Sequence, residues 1–445
     1  MPAKHLKYYF TAFLASGIIY SNAQSTLNDK FGRAGLNTIT TAVPFLIIAP
    51  DSRAGGIGDA GVSTAPDANS IHWNPAKLAF IEKEMGFSAS YTPWLRKLVP
   101  DINLSYLTGY KRLDNMTTVA ASLRYFSLGD IQFTDEFGNN TTQFRPNEFA
   151  FDIAFARKLS KYFSGGIAVR YINSNLTGGV MVAGQASRPG QAVAADVSTY
   201  FQNDHIKIGN KKAVVAAGLN ISNIGNKMSY TTSSKRDFIP INMKIGPRFT
   251  INLDDYNMLA ITTDVNKLLV PTRPVYKTDS AGNPVRNSDG SQIIIAGQDP
   301  NRAVASGMFG SFSDAPGVPL RDENNNILLT PDGNKAQIEK GSVFKEEMRE
   351  FTYSFGMEYW YDKQFAVRTG YFYEHALKGN RKYITIGAGL KYNVFALDFA
   401  YLIPAYFSNT TRTQRSPLEN TLRFSLLFDF DAFKSQKEEV PATPN

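Results

Sequence analysis

The chain has no cysteine and little histidine. Cysteine is absent from all 445 residues, which excludes disulfide bonds, thiolate nucleophiles and cysteine-ligated metals. The four histidines, His5, His72, His205 and His375, are too widely separated to indicate a metal cluster. The sequence therefore predicts neither a bound metal nor a cofactor.

Long apolar runs are also missing. A transmembrane helix needs about 20 predominantly apolar residues, and the run from Phe10 to Tyr20 is shorter than that. It follows Lys4 and Lys7, and the small residues at 21–23 form an acceptable cleavage site. These are the three parts of a secretory signal peptide, so we expect residues 1–23 to be removed after export.

The positive charge of the chain is not accompanied by a nucleic-acid motif. The net charge is +8, but the basic residues are not clustered, and we predict no nucleic-acid partner. Aromatic residues make up 13% of the chain, with 31 Phe and 22 Tyr, although the mean hydropathy is slightly negative at -0.24. This combination favours a membrane β-barrel, whose strands present an apolar face to lipid and a polar face to the lumen.

Most of the chain after residue 85 alternates with a period of two. In the segment 148–157, for example, Phe149, Phe151 and Phe155 fall on one face of a strand and Asp152 falls on the other. Similar segments begin near Gly86, Ile102, Val119, Phe149, Phe163, Ala192, Ala213, Ile241, Met258, Phe351, Phe365, Ile384, Phe395 and Leu422. We interpret them as about fourteen strands around a wet lumen.

The connections between these strands favour a membrane barrel over a soluble β-sandwich. Tight links such as 160–162 and 254–257 alternate with long links such as 127–147 and 175–190, as periplasmic turns alternate with extracellular loops. Two links depart from this alternation, because Asn203–Asn210 is long for a turn and Trp94–Val99 is short for an outer loop.

We therefore predict an all-β membrane protein, an antiparallel transmembrane β-barrel of about fourteen strands with an N-terminal plug in the lumen. The barrel spans residues 85–430, and residues 431–445 form a periplasmic tail. Within the barrel, the connection 266–347 is rich in Pro, Gly, Asn and Asp. We expect it to be a partly mobile loop or an inserted extracellular lobe.

The stretch from Val43 to Phe80 belongs to no strand series, and its Gly, Ala, Ser and Pro content permits tight turns and close backbone packing. Gly56, Gly58 and Gly61 satisfy the dinucleotide-binding pattern G-x-G-x-x-G, but no helix and parallel strand follow. Small lumen-facing residues leave room for another body, and they include Gly166, Ala168, Gly356, Gly387 and Gly389. We therefore predict a plug within residues 24–84, and its marker residues are Gly56, Gly58, Gly61, His72, Trp73, Asn74 and Pro75.

The sequence presents no catalytic constellation. Serines occur without a G-x-S-x-G motif, and His72 beside Trp73-Asn74-Pro75 fits a structural role in a turn better than a catalytic one. The carboxylate pairs Asp254-Asp255 and Glu346-Glu347 lie at strand ends, where we expect them to be solvated. We predict a protein that is not an enzyme, and an envelope lipid hydrolase is the weakest alternative.

Several strings resemble one group of outer-membrane proteins. Asn-Pro-Ala at 74–76, after a Gly-rich plug, resembles the FadL-like proteins. A closer resemblance, to the PorV family of barrel subunits of the type IX secretion system, is carried by APDSRAGGIGDAG (49–61), HWNPAKLAF (72–80), SYTPWLRKLVPDINLSYL (90–107), SLRYFSLGDIQFTD (122–135), SFSDAPG (311–317), GYFYEHALKGNRKY (370–383) and PLENTLRFSLLFDF (417–430). The stretches 276–298 and 318–341 look like additions to the family pattern.

The resemblance implies a barrel that is not a free channel. Members of the family act as shuttles that associate with the giant translocon barrel of the system, of the SprA/Sov type. They receive cargo proteins through C-terminal signal domains and deliver them to the surface attachment complex that contains the PorU-type sortase. The wider FadL-like resemblance implies an alternative function, the transport of hydrophobic small molecules. Outer-membrane lipid is a further expected partner.

Two loops that should be neighbours carry apolar side chains. Strands one and fourteen pair when a barrel closes, so the first and last outer loops should lie side by side on the extracellular rim. The apolar set is Trp94, Leu95, Leu98, Val99, Leu402, Ile403, Tyr406 and Phe407, rimmed by Arg96, Lys97 and Arg412. These residues are either a binding site for the translocon or cargo or part of the aromatic girdle at the membrane interface.

Overall fold

The structure, a computed structural model, describes residues 37–95, 99, 101–134, 140–179, 181–182, 185–231, 236–279, 283–323, 326–405, 418 and 421–430. Within these residues, fourteen antiparallel strands form one closed barrel, in which each strand pairs with the next and the last pairs with the first. At the closure, Met85 is aligned with Phe430 and Tyr91 with Phe424. The predicted fold class is confirmed.

The strands all begin within two residues of the positions expected from the alternation. They are β1 (Met85–Pro93), β2 (Asn103–Arg112), β3 (Thr117–Ser127), β4 (Asn147–Lys158), β5 (Phe163–Asn175), β6 (Gly190–Ile208), β7 (Lys211–Gly225), β8 (Asn242–Asn252), β9 (Asn257–Leu268), β10 (Thr352–Tyr361), β11 (Phe365–Tyr373), β12 (Lys382–Tyr392), β13 (Phe395–Pro404) and β14 (Thr421–Phe430). The period-two pattern is strong because successive side chains of a strand point to opposite faces.

The two faces of the strands are assigned correctly by the sequence. On β4, the side chain of Phe151 is 44% exposed, whereas Asp152 is fully buried. The same contrast separates Ile167 from Arg170 on β5 and Phe399 from Asp398 on β13. The exterior is therefore apolar, but the lumen is not wet as predicted, because its polar side chains are covered.

The connections alternate in length around the whole barrel. The short ones, at 113–116, 159–162, 209–210, 253–256, 362–364 and 393–394, lie at one end, and the longer ones lie at the other. The expected long turn at 203–210 is wrong. Strand β6 continues through a pairing irregularity between Asn203 and Ile206, which leaves a two-residue turn at Gly209-Asn210.

Four short helical segments form the plug inside the barrel. They are a 3-10 helix at Pro44–Ile47, α1 at Ser52–Gly55, α2 at Ser70–Trp73 and a 3-10 helix at Pro75–Phe80. Apolar residues such as Phe45, Ile57 and Ile71 are no more than 1% exposed. The plug is therefore a packed body inside the lumen.

The connection after β9 folds into a lobe. It contains α3 (Val304–Gly310), α4 (Ser342–Arg349) and a ladder between Val275–Tyr276 and Ile294–Ala296. The two apparent additions meet in it, because the Ala336 N–H donates to the Ile295 carbonyl at 2.8 Å. Their side chains share a small apolar core.

Two further short ladders lie in other connections. One pairs Ile131–Thr134 with Asn140–Phe144, and the other pairs Met181–Val182 with Gln185–Ala186. No helix in the described part of the chain has the length and apolar character needed to cross a bilayer. The predicted signal peptide at 1–23 and tail at 431–445 lie outside the described residues.

Candidate functional site: the sealed lumen and its rim

Glycines of the barrel wall let the plug backbone lie directly on the strands. A Cβ atom added to Gly218 would lie 2.2 Å from the Val62 carbonyl oxygen, and one added to Gly370 would lie 2.2 Å from the Gly58 nitrogen. Gly166, which the sequence identified, meets the Ala76 nitrogen in the same way at 2.4 Å. Because each contact is with backbone, any side chain at these positions would displace the plug.

The G-x-G-x-x-G motif is used for packing. Gly58 has a φ of +73°, which favours glycine, and its N–H donates to Thr385 Oγ1 at 2.8 Å. Gly56 lies against Gly387 of β12, and a Cβ at Gly61 would enter the Trp73 ring at 2.1 Å. All three glycines therefore lie where an added Cβ would meet backbone or an aromatic ring.

Asn74, Pro75 and Ala76 connect the plug to β6. The Asn74 side chain accepts a hydrogen bond from the Ala76 N–H at 3.0 Å, and it donates to the carbonyls of Val62 and Thr199, each at 3.0 Å. Pro75 begins the following 3-10 helix, where its fixed φ is favourable and its missing N–H costs nothing. One amide side chain therefore caps a helix, joins two plug segments and binds the wall.

His72 contacts a buried arginine of the barrel wall. Arg124 of β3, which is fully buried, places Nη2 2.6 Å from His72 Nδ1 and donates from Nη1 to the Leu46 carbonyl at 2.6 Å. A guanidinium can only donate, so His72 Nδ1 must accept and the imidazole is neutral with its proton on Nε2. This arrangement holds two plug segments to one wall residue.

Trp73 is held from two sides. Its Nε1–H donates to Asp51 Oδ1 at 2.6 Å, and the other oxygen of Asp51 accepts from the Ala54 N–H at 2.9 Å. The ammonium of Lys244 on β8 lies 4.1 Å from the centre of the Trp73 ring. Asp51 thus caps α1 and orients the aromatic ring against the wall.

Buried ion pairs join the plug to the far side of the barrel. Arg53 contacts Glu358 of β10 through two parallel hydrogen bonds of 3.0 and 2.9 Å, and it also donates to Asp67 at 2.9 Å. Glu358 also accepts from Arg368 of β11 at 2.7 Å, and Arg368 donates to Asp398 at 2.6 Å. Buried charges are stable only when paired and fully hydrogen-bonded, so these contacts require the plug to be seated.

Two more acidic residues complete the attachment. Asp264 of β9 accepts from the N–H groups of Gly61 and Val62 at 2.7 and 2.9 Å. The plug residue Asp59 is paired with Arg423 of β14 and accepts from the Tyr383 hydroxyl. The plug is consequently attached around the whole circumference.

The carboxylates of Glu346 and Glu347 are buried, so the prediction that they are solvated is wrong. Each residue is 4% exposed. Lys267 of β9 binds Glu347 at 3.2 Å and Glu350 at 2.6 Å, and Lys378 binds Glu346 and Glu350, each at 3.0 Å. The lobe is therefore attached to the barrel mouth by four buried ion pairs. The other carboxylate pair, Asp254-Asp255, is exposed as expected.

His375 and Asp314 are among the titratable groups of the long connections that have shifted pKa values. Burial lowers the pKa of His375 to about 4, and its Nδ1 accepts from the Leu377 N–H at 3.2 Å. Burial raises the pKa of Asp314 to about 6, although its partner Arg302 acts in the opposite direction. Both groups lie in the part of the chain that covers the mouth.

Three of the predicted rim residues come together. Trp94 and Leu95 pack on an apolar cluster of Phe372, Tyr383, Leu402 and Leu418. Leu402 is 2% exposed and so lies inside this cluster, while Val99 and Ile403 are 37% and 41% exposed. Leu98, Tyr406 and Phe407 lie outside the described residues, as do Arg96, Lys97 and Arg412.

The lobe adds exposed aromatic residues that sequence reasoning missed. Phe309 next to the end of α3 is 71% exposed, Phe344 of α4 is 67% exposed and Phe312 is 45% exposed. Helix α4 buries its polar face and exposes its apolar face, because its glutamates face the barrel and its apolar side chains face outward. This arrangement depends on the partners Lys267 and Lys378, which are distant in the sequence.

The fold and the lumen define a plugged β-barrel of the outer-membrane class. The family model described as "Type IX secretion system protein PorV" matches residues 32–275, which is more than half of the chain. The chain belongs to the PorV family and is an outer-membrane component of that secretion system.

The chain is similar to several solved structures at low sequence identity. They include the toluene transporter TbuX of Ralstonia pickettii, with TM-score 0.42, 10% identity and coverage of 85% of this chain and 98% of that one. TodX, the toluene transporter of Pseudomonas putida, has TM-score 0.40, 12% identity and coverage of 84% and 95%. A FadL homologue of Pseudomonas aeruginosa has TM-score 0.38, 10% identity and coverage of 89% and 100%. No curated protein matches the sequence.

Proposed function

We propose that the protein is a non-enzymatic shuttle of type IX secretion. In this proposal it binds the giant translocon barrel, receives cargo through the C-terminal signal domain and delivers it to the sortase-containing attachment complex. The signal peptide directs export, the long connections face outside and both termini face the periplasm.

The observation that carries this proposal is the sealed lumen. The plug contacts backbone at Gly166, Gly218 and Gly370 and is held by buried ion pairs through Arg53 and Asp59. Opening a path would leave these charges unpaired at a cost of several kcal/mol. A protein whose lumen is closed in this way works through its outer surfaces.

The rim that carries Val99 and Ile403, and the lobe that carries Phe309 and Phe344, offer such surfaces. Apolar and aromatic side chains exposed outside the lipid band mark protein-binding sites. A buried anchor of this kind contributes about 1–3 kcal/mol to association.

The alternative, transport of hydrophobic small molecules, has one observation to consider. A cavity of about 270 Å³ lies where the plug meets the lobe side of the lumen, and apolar side chains such as Ile39, Leu268 and Phe372 line part of it. Six charged side chains also line it, namely Asp59, Lys244, Glu350, Glu374, Lys378 and Arg381. A hydrocarbon would gain little binding free energy in a cavity lined by so many charged side chains. The shuttle is therefore the better supported function.

The test is a pair of charged variants of the rim. The variant Trp94→Asp with Leu98→Asp should abolish co-purification of the translocon and cargo from membranes and leave cargo unsecreted. The protein should keep its heat-modifiable mobility on a gel, which reports a folded barrel. The matched control is Leu113→Asp with Met116→Asp, since both residues are exposed in a short turn at the opposite end.

A parallel variant addresses the lobe. If secretion and co-purification persist with the charged rim but are lost in Phe309→Asp with Phe344→Asp, docking occurs on the lobe. Persistence in both variants, together with selective uptake of small apolar solutes by vesicles that contain the protein, would reject the shuttle.

A further inference from the structure

A basic cleft opens at the rim of the barrel, among residues that precede β6 and follow β7. It has a volume of about 360 Å³ and is lined by Arg188, Gln191, Asn226, Lys227 and Arg236, among others. Three of these side chains are cationic and none is acidic. Such a cleft is suited to an anion.

The cations are not neutralised within the described residues. No carboxylate forms an ion pair with Arg188, Lys227 or Arg236 there, although Asp237 and Asp299 act on Lys227 at longer range. The Lys227 ammonium lies 4.3 Å from the centre of the Phe238 ring, which orients it without cancelling its charge. Local backbone hydrogen bonds order the segment, because the Arg188 N–H donates to the Tyr230 carbonyl at 2.9 Å.

The depth of the cleft relative to the membrane follows from β6. Gln191 lines the cleft and lies on the same outward face as Val193, which is 54% exposed. Two residues of a strand span about 7 Å. Gln191 and the cleft therefore lie about 7 Å nearer the start of β6 than Val193, beyond the apolar part of the outer surface. Val193 is paired with the exposed aromatic residue Tyr171, and aromatic belts mark the level of the headgroups.

We propose that this cleft binds the phosphate group of a membrane lipid headgroup. Arg and Lys at this depth meet lipid phosphates, which they bind by charge-assisted hydrogen bonds. The side chains of Arg188 and Arg236 are exposed, while the Lys227 ammonium lies over the Phe238 ring. The site would anchor the wall at β6 and β7 in one orientation in the lipid, independently of any shuttle role.

The experiment titrates the detergent-purified protein with phosphatidic acid and with diacylglycerol of the same chains, using native mass spectrometry. The variant that combines Arg188→Gln, Lys227→Gln and Arg236→Gln should bind phosphatidic acid at least about tenfold more weakly, because it lacks three cations that attract an anionic headgroup. Diacylglycerol, which lacks phosphate, should bind weakly to both proteins.

The matched control is Lys207→Gln with Lys211→Gln and Lys212→Gln. It removes three exposed cations from the opposite end of the same two strands, and it should bind phosphatidic acid within twofold of the wild type. Equal weakening in both variants, or equal binding of diacylglycerol, would overturn the proposal. Displacement of the lipid by inorganic phosphate at matching concentration would assign the cleft to a soluble anion and overturn the lipid as its source.

Discussion

Arg53 and Glu358 contact each other, but we expect replacement of Arg53 to destabilise the plug more than replacement of Glu358. Around this contact, two guanidinium groups, Arg53 and Arg368, face three carboxylates, Asp67, Glu358 and Asp398. Replacing Arg53 with methionine leaves one guanidinium with three carboxylates. Replacing Glu358 with glutamine leaves two guanidinium groups with two carboxylates, and the amide oxygen can still accept a hydrogen bond.

The magnitude follows from burial. The side chains of Arg53 and Glu358 are 12% and 7% exposed, so solvent screens the unpaired charge poorly. Removing one partner of a buried pair costs about 3–5 kcal/mol, and we expect this value for Arg53→Met. For Glu358→Gln we expect about 1–3 kcal/mol, the cost of weakening hydrogen bonds to a charged group.

Hydrogen exchange of the plug amides measures this directly, because it reports the free energy of local opening. In lipid vesicles, exchange at Gly61 and Val62 should accelerate far more in Arg53→Met than in Glu358→Gln, while the strand amides stay protected. The double variant Arg53→Met with Glu358→Gln should cost less than the sum of the two single changes. Equal acceleration in the two single variants, or none in either, would refute the assignment of these charges.

Three further outcomes are expected. Phe151→Arg should cost about 2–4 kcal/mol in chemical denaturation in vesicles, because it places a charge in lipid, whereas Leu113→Arg in an exposed turn should cost less than about 1 kcal/mol; equal costs would mean that the strand faces are misassigned. The new methyl group in Gly370→Ala should collide with the plug backbone, destabilise the protein by about 1–3 kcal/mol and raise its conductance in planar bilayers. The control Gly165→Ala should leave the conductance low, because its Cβ would meet only a side chain at 3.4 Å. Unchanged conductance in both variants would argue against a tightly seated plug. The folded-state pKa of His375 is lowered to about 4 from an ordinary 6.5, so its contribution to stability is present above pH 6.5 and is lost as the pH falls through about 4. Hydrogen exchange of the amides around His375 should accelerate over that range. The variant His375→Gln should not show this pH dependence.

The strands and their faces could be predicted from the sequence because each depends on local information. A lipid-facing residue such as Phe151 is apolar wherever the neighbouring strands lie, since the hydrocarbon solvent is the same all around the barrel. The plug was also predictable in outline. Its composition excludes regular strands, and the lumen-facing positions of the barrel strands include small residues such as Gly166 and Gly356.

The state of the charges was decided only by the tertiary structure. Glu346-Glu347 and Asp254-Asp255 are both acidic pairs near strand ends, yet the first is buried and the second is exposed. The difference comes from Lys267 and Lys378, which reach Glu346 and Glu347 from distant parts of the chain. A charge is buried only when partners arrive to replace its hydration, and whether they arrive depends on the three-dimensional packing rather than on the neighbours in sequence.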